Sequence, residues 1–137
     1  MKRFKFLVLL FFSMLFLSSC QNDDDGYVNR NELIGTWYLI DETVDGVPVF
    51  LNCESVLDFT PYRVSNINYF GLSCSFVDVF VNDYYVDGNE IVNTGPFETY
   101  VDEILVLNNS RLVLSRFDEY YENGQFYYLE VISTYIR

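Results

Sequence analysis

The three cysteines are the residues whose type and spacing most directly imply chemistry. Cys20 follows a basic segment, residues 1–5, and an apolar run, residues 6–17. This run is too short to span a bilayer, which takes about 20 apolar residues, and it has the layout of a cleaved export signal. Cys20 stands at the end of this signal and is set apart from the other two cysteines. Cys53 and Cys74 are then an even pair in an exported chain, which predicts one disulfide. Such a bridge would stabilise the fold by roughly 3 kcal/mol.

The sequence offers little for catalysis. It contains no histidine, which excludes histidine general bases, nucleophilic triads and zinc sites with histidine ligands. A catalytic cysteine would lack a basic activator once the signal is removed. Two carboxylates could serve a glycosidase, but suitable pairs arise by chance among 20 acidic residues. We therefore predict no catalytic residue, no metal site and no cofactor. The acidic residues on predicted strands, interpreted as a solvated outer face, are Asp78, Asp83, Asp102, Glu103, Asp118 and Glu119.

The charge balance excludes further function classes. Eight Lys and Arg against 20 Asp and Glu give a formal net charge of −12. Removal of residues 1–19 also removes three basic residues, which leaves five arginines against 20 carboxylates, a formal charge of −15. Nucleic-acid binding needs basic patches, so no nucleic-acid partner is expected. The same charge disfavours anionic ligands and self-association, so we predict a monomer that meets the membrane through a lipid anchor only.

Residues 20–32 form a predicted acidic tether that begins at Cys20 and leads to the folded domain. Three successive aspartates, residues 23–25, make it a solvated, extended segment. Residues 21–32 also match part of a 12-residue calcium loop, because Asp23, Asp25, Gly26 and Glu32 fall at the required positions. Gln21 stands where such a loop needs Asp. The tether interpretation is the better one, and calcium binding stays an open question at this point.

A β-sheet fold must position these groups. From Leu33 onward Tyr, Phe, Val and Ile dominate, and turn residues recur at short intervals. Regular short strands of this kind predict a sandwich or barrel. We expect an all-β domain of about eight strands over residues 33–137, either a sandwich or a small antiparallel up-and-down barrel. The predicted strands are 35–43, 54–60, 63–70, 74–86, 89–93, 98–107, 111–121 and 125–136.

Alternation along the strands predicts which side chains line the interior. The candidate interior and ligand-lining residues are Leu39, Leu57, Phe59, Val77, Val79, Leu105, Leu107, Leu112 and Leu114. Both faces of the fourth predicted strand carry apolar residues, with Val77, Val79 and Val81 on one face and Phe76, Asp78, Phe80 and Asn82 on the other. If its valines point inward, the barrel has room for a ligand; if Phe76 and Phe80 point inward, the barrel is filled. The last strand is also apolar on both faces, so its inner face cannot be identified.

A family resemblance begins at the segment Leu33-Ile34-Gly35-Thr36-Trp37, which resembles the Gly-x-Trp signature of the first lipocalin strand. Further features follow in order: a Cys before a Leu-x-Phe strand, a second Cys about twenty residues later, an Asp-Gly-Asn turn and a Tyr-rich final hairpin. Residues 30–137 are similar to the lipocalin-like domains of Bacteroidetes lipoproteins. The resemblance implies structural roles for Leu33, Gly35 and Trp37. The arginine that packs on this Trp in lipocalins is either Arg116 or Arg137.

The resemblance also implies an address and a function. Leu17-Ser18-Ser19-Cys20 resembles a lipobox, which makes residues 1–19 a signal peptide and Cys20 the lipidated residue. The acidic stretch resembles a surface-export signal, so we expect an outer-membrane lipoprotein at the cell surface, or alternatively one that faces the periplasm. A lipocalin-like barrel implies a small hydrophobic ligand in or at the mouth of the barrel. The alternative is a packed barrel that meets a protein or glycan through its acidic, Tyr-rich outer surface.

Overall fold

Alternating β-branched and aromatic residues, interrupted by turn residues, form an antiparallel sheet. The structure is a computed structural model that describes residues 28–96 and 98–137. The predicted signal peptide, the predicted lipidation site Cys20 and the predicted tether as far as residue 27 lie outside these residues. Among the described residues, no helix is long and apolar enough to cross a membrane. The elements are α1 Arg30–Leu33, β1 Gly35–Val44, β2 Val47–Pro48, β3 Ser55–Phe59, β4 Arg63–Phe70, β5 Phe76–Asp87, β6 Glu90–Thr94, β7 Thr99–Leu107, β8 Arg111–Glu122 and β9 Gln125–Ile136.

Eight of these strands close into a barrel. Apart from β2, each strand pairs antiparallel with the next one in the chain, and β9 returns to pair with β1. The two-residue strand β2 folds back on the end of β1, with Thr43 opposite Pro48. The predicted up-and-down barrel is confirmed, and each predicted strand boundary lies within two residues of the observed one. Helix α1 and strand β2 were not predicted.

The β8–β9 turn shows how local sequence sets the hairpin geometry. Asn123 and Gly124 have φ angles of 51° and 83°. Both values lie in the left-handed region, which a type I′ turn requires at its two central residues and which Asn and Gly tolerate best. The turn aligns 12 residue pairs between β8 and β9, from Glu122 with Gln125 to Arg111 with Ile136. This long hairpin rises above the rest of the barrel.

One end of the barrel is closed by a compact apolar core. Trp37 and Leu33 are fully buried there, together with Ile91 and Leu112. Helix α1 covers this end, and the Leu33 carbonyl accepts a hydrogen bond of 2.8 Å from the Trp37 indole. The bond satisfies the only polar group of the buried indole, so its large apolar surface is buried with little cost in unpaired polarity. We call this end the base and the opposite half the open half.

Two β-bulges change which residues face the interior. One lies in β1 between Leu39 and Asp41, and the other lies in β7 between Ile104 and Val106. A bulge adds one residue to a strand, so the alternation of inner and outer side chains shifts by one beyond it. In β7 the inner face therefore passes from Ile104 to Leu107 and leaves Leu105 outside.

Candidate ligand-binding site in the open half of the barrel

Most of the predicted interior residues belong to the filled base. Leu57, Phe59, Leu112 and Leu114 are buried in the core cluster around Trp37, against which Leu39 and Leu107 are packed. These residues therefore act as core, and they leave no wide apolar cavity at the base.

Three of the predicted interior residues lie elsewhere, and the structure corrects their assignment. Val77 and Val79 point outward from β5, because the buried residues Asn82 and Tyr84 carry the opposite parity. Leu105 is displaced outward by the bulge in β7. The sequence could not resolve β5, since that strand is apolar on both faces.

The aromatic residues of β5 show that the open half is not filled. Phe76 and Phe80 have the parity of Tyr84 and point inward, yet their side chains are 61% and 58% exposed. The expectation that inward-pointing Phe76 and Phe80 fill the barrel is therefore wrong, and the base is filled by other residues. Above the base, the barrel is an open cup with aromatic rings on its wall.

The disulfide lies at the rim of this cup. Cys53 precedes β3, and Cys74 lies in the turn between β4 and β5. The structure joins the two, as predicted, with 21 residues of sequence separation. The bridge ties the connection from β1 to β3 onto the tip of the β4–β5 hairpin, so it restrains two segments that border the opening.

A network of buried polar groups separates the base from the open half. The Asn93 amide donates a hydrogen bond of 2.8 Å to Asp102. The Arg116 guanidinium lies 3.9 Å from the other oxygen of Asp102 and binds Asp118 at 2.6 Å. The same guanidinium lies over the Tyr100 ring, 5.6 Å from its centroid. One arginine is thus shared by two carboxylates and a ring on the inner wall.

Burial perturbs the ionisation of this network. Desolvation raises the pKa of Asp102 from 3.8 to about 6, although Arg116 and the bond from Asn93 work against it. Burial also raises the pKa of Tyr100, with a further contribution from the nearby charge of Asp102. Asp102 was interpreted as part of a solvated outer face, and the structure corrects this.

The remaining wall of the cup carries amide groups. The Asn82 amide donates to the Tyr100 hydroxyl at 3.1 Å. The Asn66 carbonyl oxygen is buried and has no donor among residues 28–96 and 98–137. Gly95 leaves room for the Asn82 side chain and its bond to Tyr100, because a Cβ at position 95 would lie 2.7 Å from the Asn82 side-chain oxygen. The Asn66 residue also lines the open space of the cup, so its side-chain amide belongs to the polar part of the lining.

The wall of the cup has a side opening, which we call the notch. It lies between the mouth-side halves of β5 and β8, above the short β6–β7 hairpin, because β6 and β7 end sooner at this side than their neighbours. A space of about 1350 Å³ extends from the inner wall through the notch to the outer faces of these strands. Its lining includes inward residues such as Asn66 and Arg116 and outward residues such as Val79 and Glu103. An opening through a sheet is expected to be lined by both inward-pointing and outward-pointing side chains.

The arginine that packs on the base tryptophan is Arg137. Its guanidinium carbon lies 3.9 Å from the centre of the Trp37 ring. It also donates hydrogen bonds to the carbonyls of Ile34 and Glu32, which fixes α1 against the end of β9. This resolves the alternative between Arg116 and Arg137 that the sequence left open.

Within the described part of the chain, no three His, Cys, Asp or Glu side chains form a cluster that could hold a metal ion. The geometry of the open half offers hydrogen-bond donors and acceptors, aromatic rings and one shared arginine. This arrangement can bind a ligand that combines apolar surface with hydrogen-bonding groups.

Comparisons with known proteins support the fold. No model of a known protein family matches the sequence, and no curated protein matches it. Among solved structures, the chain is similar to a lipocalin-like protein from Bacteroides uniformis, with a TM-score of 0.58 and 18% sequence identity. The similarity covers 77% of this chain and 98% of that protein. At this identity the likeness shows the fold alone, a lipocalin-like β-barrel.

Proposed function

We propose that this protein is a lipid-anchored binding protein of the cell envelope that holds a small ligand in the open half of its barrel. The observation that carries the proposal is the division of the interior. The base is filled around Trp37, whereas the half above it combines exposed aromatic rings with a buried polar network. Asp102 is buried beside Arg116, which it shares with Asp118. Burial of this carboxyl does not stabilise the barrel, so stability alone does not explain its position.

The fold implies a hydrophobic ligand. The residues that line the open half indicate that this ligand is amphipathic. Phe76 and Phe80 offer rings against which an apolar part can pack. Asn66 and Asn68 line the same space and offer side-chain amides for hydrogen bonds with the ligand. The carboxylates of Asp102 and Asp118 share one arginine, so the site disfavours an anionic group. We therefore propose a small neutral or cationic molecule with one apolar side.

The path of the chain supports an anchored orientation. The Val28 amide donates to the Gly88 carbonyl, in the β5–β6 turn at the base. The chain therefore enters the barrel at its closed end. Eight residues separate Cys20 from Val28, a reach of at most about 28 Å. With lipid on Cys20, the base would lie toward the membrane and the open half would face away from it, accessible to ligand.

Native mass spectrometry of the purified protein, incubated with an envelope lipid extract, tests the binding proposal. We expect a discrete added mass that survives desalting. Asn66→Leu removes one amide from the lining and should weaken binding by roughly 5-fold, the effect of one lost hydrogen bond. Ser65→Ala, on the outer face of the same strand, is the matched control. A bare protein mass with every extract would contradict ligand binding.

The anchor is tested separately in cells that express the full chain. Labelled palmitate should be incorporated into the wild type and should be lost in Cys20→Ser. Protease added to intact cells should remove the protein if it is exposed at the surface. Label that persists in Cys20→Ser would contradict lipidation at this residue, and a protease-resistant protein would favour the periplasmic face.

One observation favours a second candidate function, recognition of a protein or glycan by the outer surface. Four aromatic side chains on the outer face of the β8–β9 hairpin are 63–66% exposed. These residues are Phe117, Tyr121, Phe126 and Tyr128. An exposed group of rings is typical of a surface that stacks on a partner. Glycan-array binding that is lost in Tyr128→Ser and kept in Asn66→Leu would support this function over the first.

A further inference from the structure

Strand β5 has a long unpaired edge. It pairs with β4 along eight residue pairs, as far as Phe76. Its pairing with β6 on the other side ends at Asp83, opposite Thr94. The mouth-side half of β5 therefore borders the notch without a neighbouring strand on that side.

The hydrogen-bond pattern identifies which backbone groups face the notch. The Tyr84 amide donates to the Tyr62 carbonyl, on the side of β4. In an antiparallel ladder, successive residues bond to alternate sides. Val77, Val79 and Val81 therefore direct their N–H and C=O groups toward the notch, and no backbone partner for these groups lies among residues 28–96 and 98–137.

The facing edge of β8 is unpaired in the same way. Pairing of β7 with β8 ends at Glu103, opposite Ser115. The two-residue β8–β9 turn makes Glu122 and Gln125 a bonded pair, so even-numbered residues of β8 bond to β9. Beyond Ser115, the odd-numbered backbone groups of β8, as far as Tyr121, face the notch. The notch thus has a row of free backbone groups on each side.

The β5 edge has few of the features by which proteins usually protect such edges, since Asp78 is its only charged residue between Phe76 and Asn82. From Phe76 to Asn82 it contains no proline or lysine, and its register with β4 is regular. The side chains of Val77, Val79 and Val81 lie half exposed on its outer face. A regular, apolar, exposed edge is a template for an added strand.

We propose that the notch receives an extended cationic segment of another protein, which adds to β5 as an antiparallel strand. Charge supports a basic partner. The space that extends through the notch to the outer face of the sheet is lined by Glu90, Glu98, Glu103 and Glu119, while Arg116 is already bound to Asp118. A second copy of this chain fits poorly, since each mature copy carries a formal charge of about −15.

The register sets the chemistry of the segment. Residues directly opposite one another in an antiparallel pair point to the same face. Apolar residues opposite Val77, Val79 and Val81 would continue the outer apolar strip. The residues between them would point inward toward Asp78, where Lys or Arg is favoured. The segment is thus an alternating apolar and basic strand. This inference rests on backbone groups and does not require a small ligand.

The test uses the purified protein and a labelled nine-residue peptide that alternates Lys and Val, followed by fluorescence anisotropy. We expect saturable binding that a Glu–Val peptide of the same length does not show. Val79→Pro removes a notch-facing N–H without breaking the β4 ladder, so it should reduce affinity at least about tenfold. Val79→Thr keeps the N–H and should stay within about 3-fold of the wild type.

A Lys–Val peptide methylated on its valine amides gives the same test without a protein variant, should Val79→Pro fail to fold. Loss of binding on methylation supports strand addition. Equal binding of the Glu–Val peptide, or no binding of the Lys–Val peptide, overturns the proposal. Equal losses in Val79→Pro and Val79→Thr would assign the binding to the outer valine side chains and overturn strand addition. A dimer of the free protein that Val79→Pro dissociates would make a second copy the occupant and overturn the cationic partner.

Discussion

Replacement of Asp102 by Asn perturbs the buried polar network with little change in shape. The carboxyl lies on the inner wall of the barrel between Asn93 and Arg116. Burial raises its pKa from 3.8 to about 6. Asn occupies nearly the same volume and can still accept the hydrogen bond from Asn93, so the principal change is the removal of an ionisable group.

The sign of the effect follows from proton linkage. A carboxyl with a higher pKa in the folded protein than in the unfolded chain binds its proton more tightly when folded. Its contribution to stability is present below pH 4 and is lost as the pH rises through about 6. At 1.36 kcal/mol per pKa unit, the whole effect is about 3 kcal/mol. Between pH 5 and pH 8, about half of this change, on the order of 1 kcal/mol, remains.

Urea unfolding followed by the fluorescence of Trp37 measures the effect. The isoelectric point of about 4.1 makes pH 5 to 8 the practical range. We expect the stability of Asp102→Asn relative to the wild type to rise by about 1 kcal/mol across this range. The other carboxylates are common to both proteins, so their contributions largely cancel in the difference.

Glu103→Gln provides the matched control. It removes one formal charge from the adjacent residue, whose side chain is exposed on the outer face. The comparison separates burial of the carboxyl from a general change in net charge. A stability difference between Asp102→Asn and the wild type that stays constant from pH 5 to 8, or that falls with pH, would refute the reasoning.

Three further predictions concern the mouth, the base and the wall of the cup. Replacement of Cys53 and Cys74 by Ser should lower the free energy of unfolding by about 3 kcal/mol in urea titrations, and a reducing agent should reproduce the loss in the wild type; an unchanged midpoint would contradict the role of the bridge. Trp37→Ala should cost about 3–5 kcal/mol in thermal or urea unfolding, since the side chain is fully buried; a loss below 1 kcal/mol would show that the base repacks. Gly95→Ala should displace the Asn82 side chain, which an added Cβ would approach to 2.7 Å; ligand affinity should fall while the unfolding midpoint changes little, and equal losses of both would contradict a local effect.

Much of the architecture could be predicted from the sequence because it depends on local preferences. Strand lengths follow from runs of Tyr, Phe, Val and Ile between turn residues. The tight β8–β9 turn follows from Asn123 and Gly124, which accept positive φ angles. With Cys20 assigned to the lipid anchor, the pairing of Cys53 with Cys74 needed no long-range information.

The candidate site depended on information that the sequence does not express locally. Residues 76–81 are largely apolar on both faces, so no pattern within β5 could decide whether Phe80 or Val79 faces the interior. The bulge in β7 reversed the parity expected for Leu105. Asp102 could be identified as buried only by its register with neighbouring strands, since most aspartates on strands face solvent.

The sequence by itself determined the strands, the turns, the disulfide partners and the tryptophan of the base, because neighbouring residues set backbone conformation. The tertiary structure alone decided which faces point inward, which arginine packs on Trp37 and where the barrel wall opens. These properties arise from the pairing of strands that are distant in the chain and from the unequal lengths of adjacent hairpins. Closure of the barrel fixes the register of every strand at once, so a bulge or a short hairpin in one place repositions side chains in another.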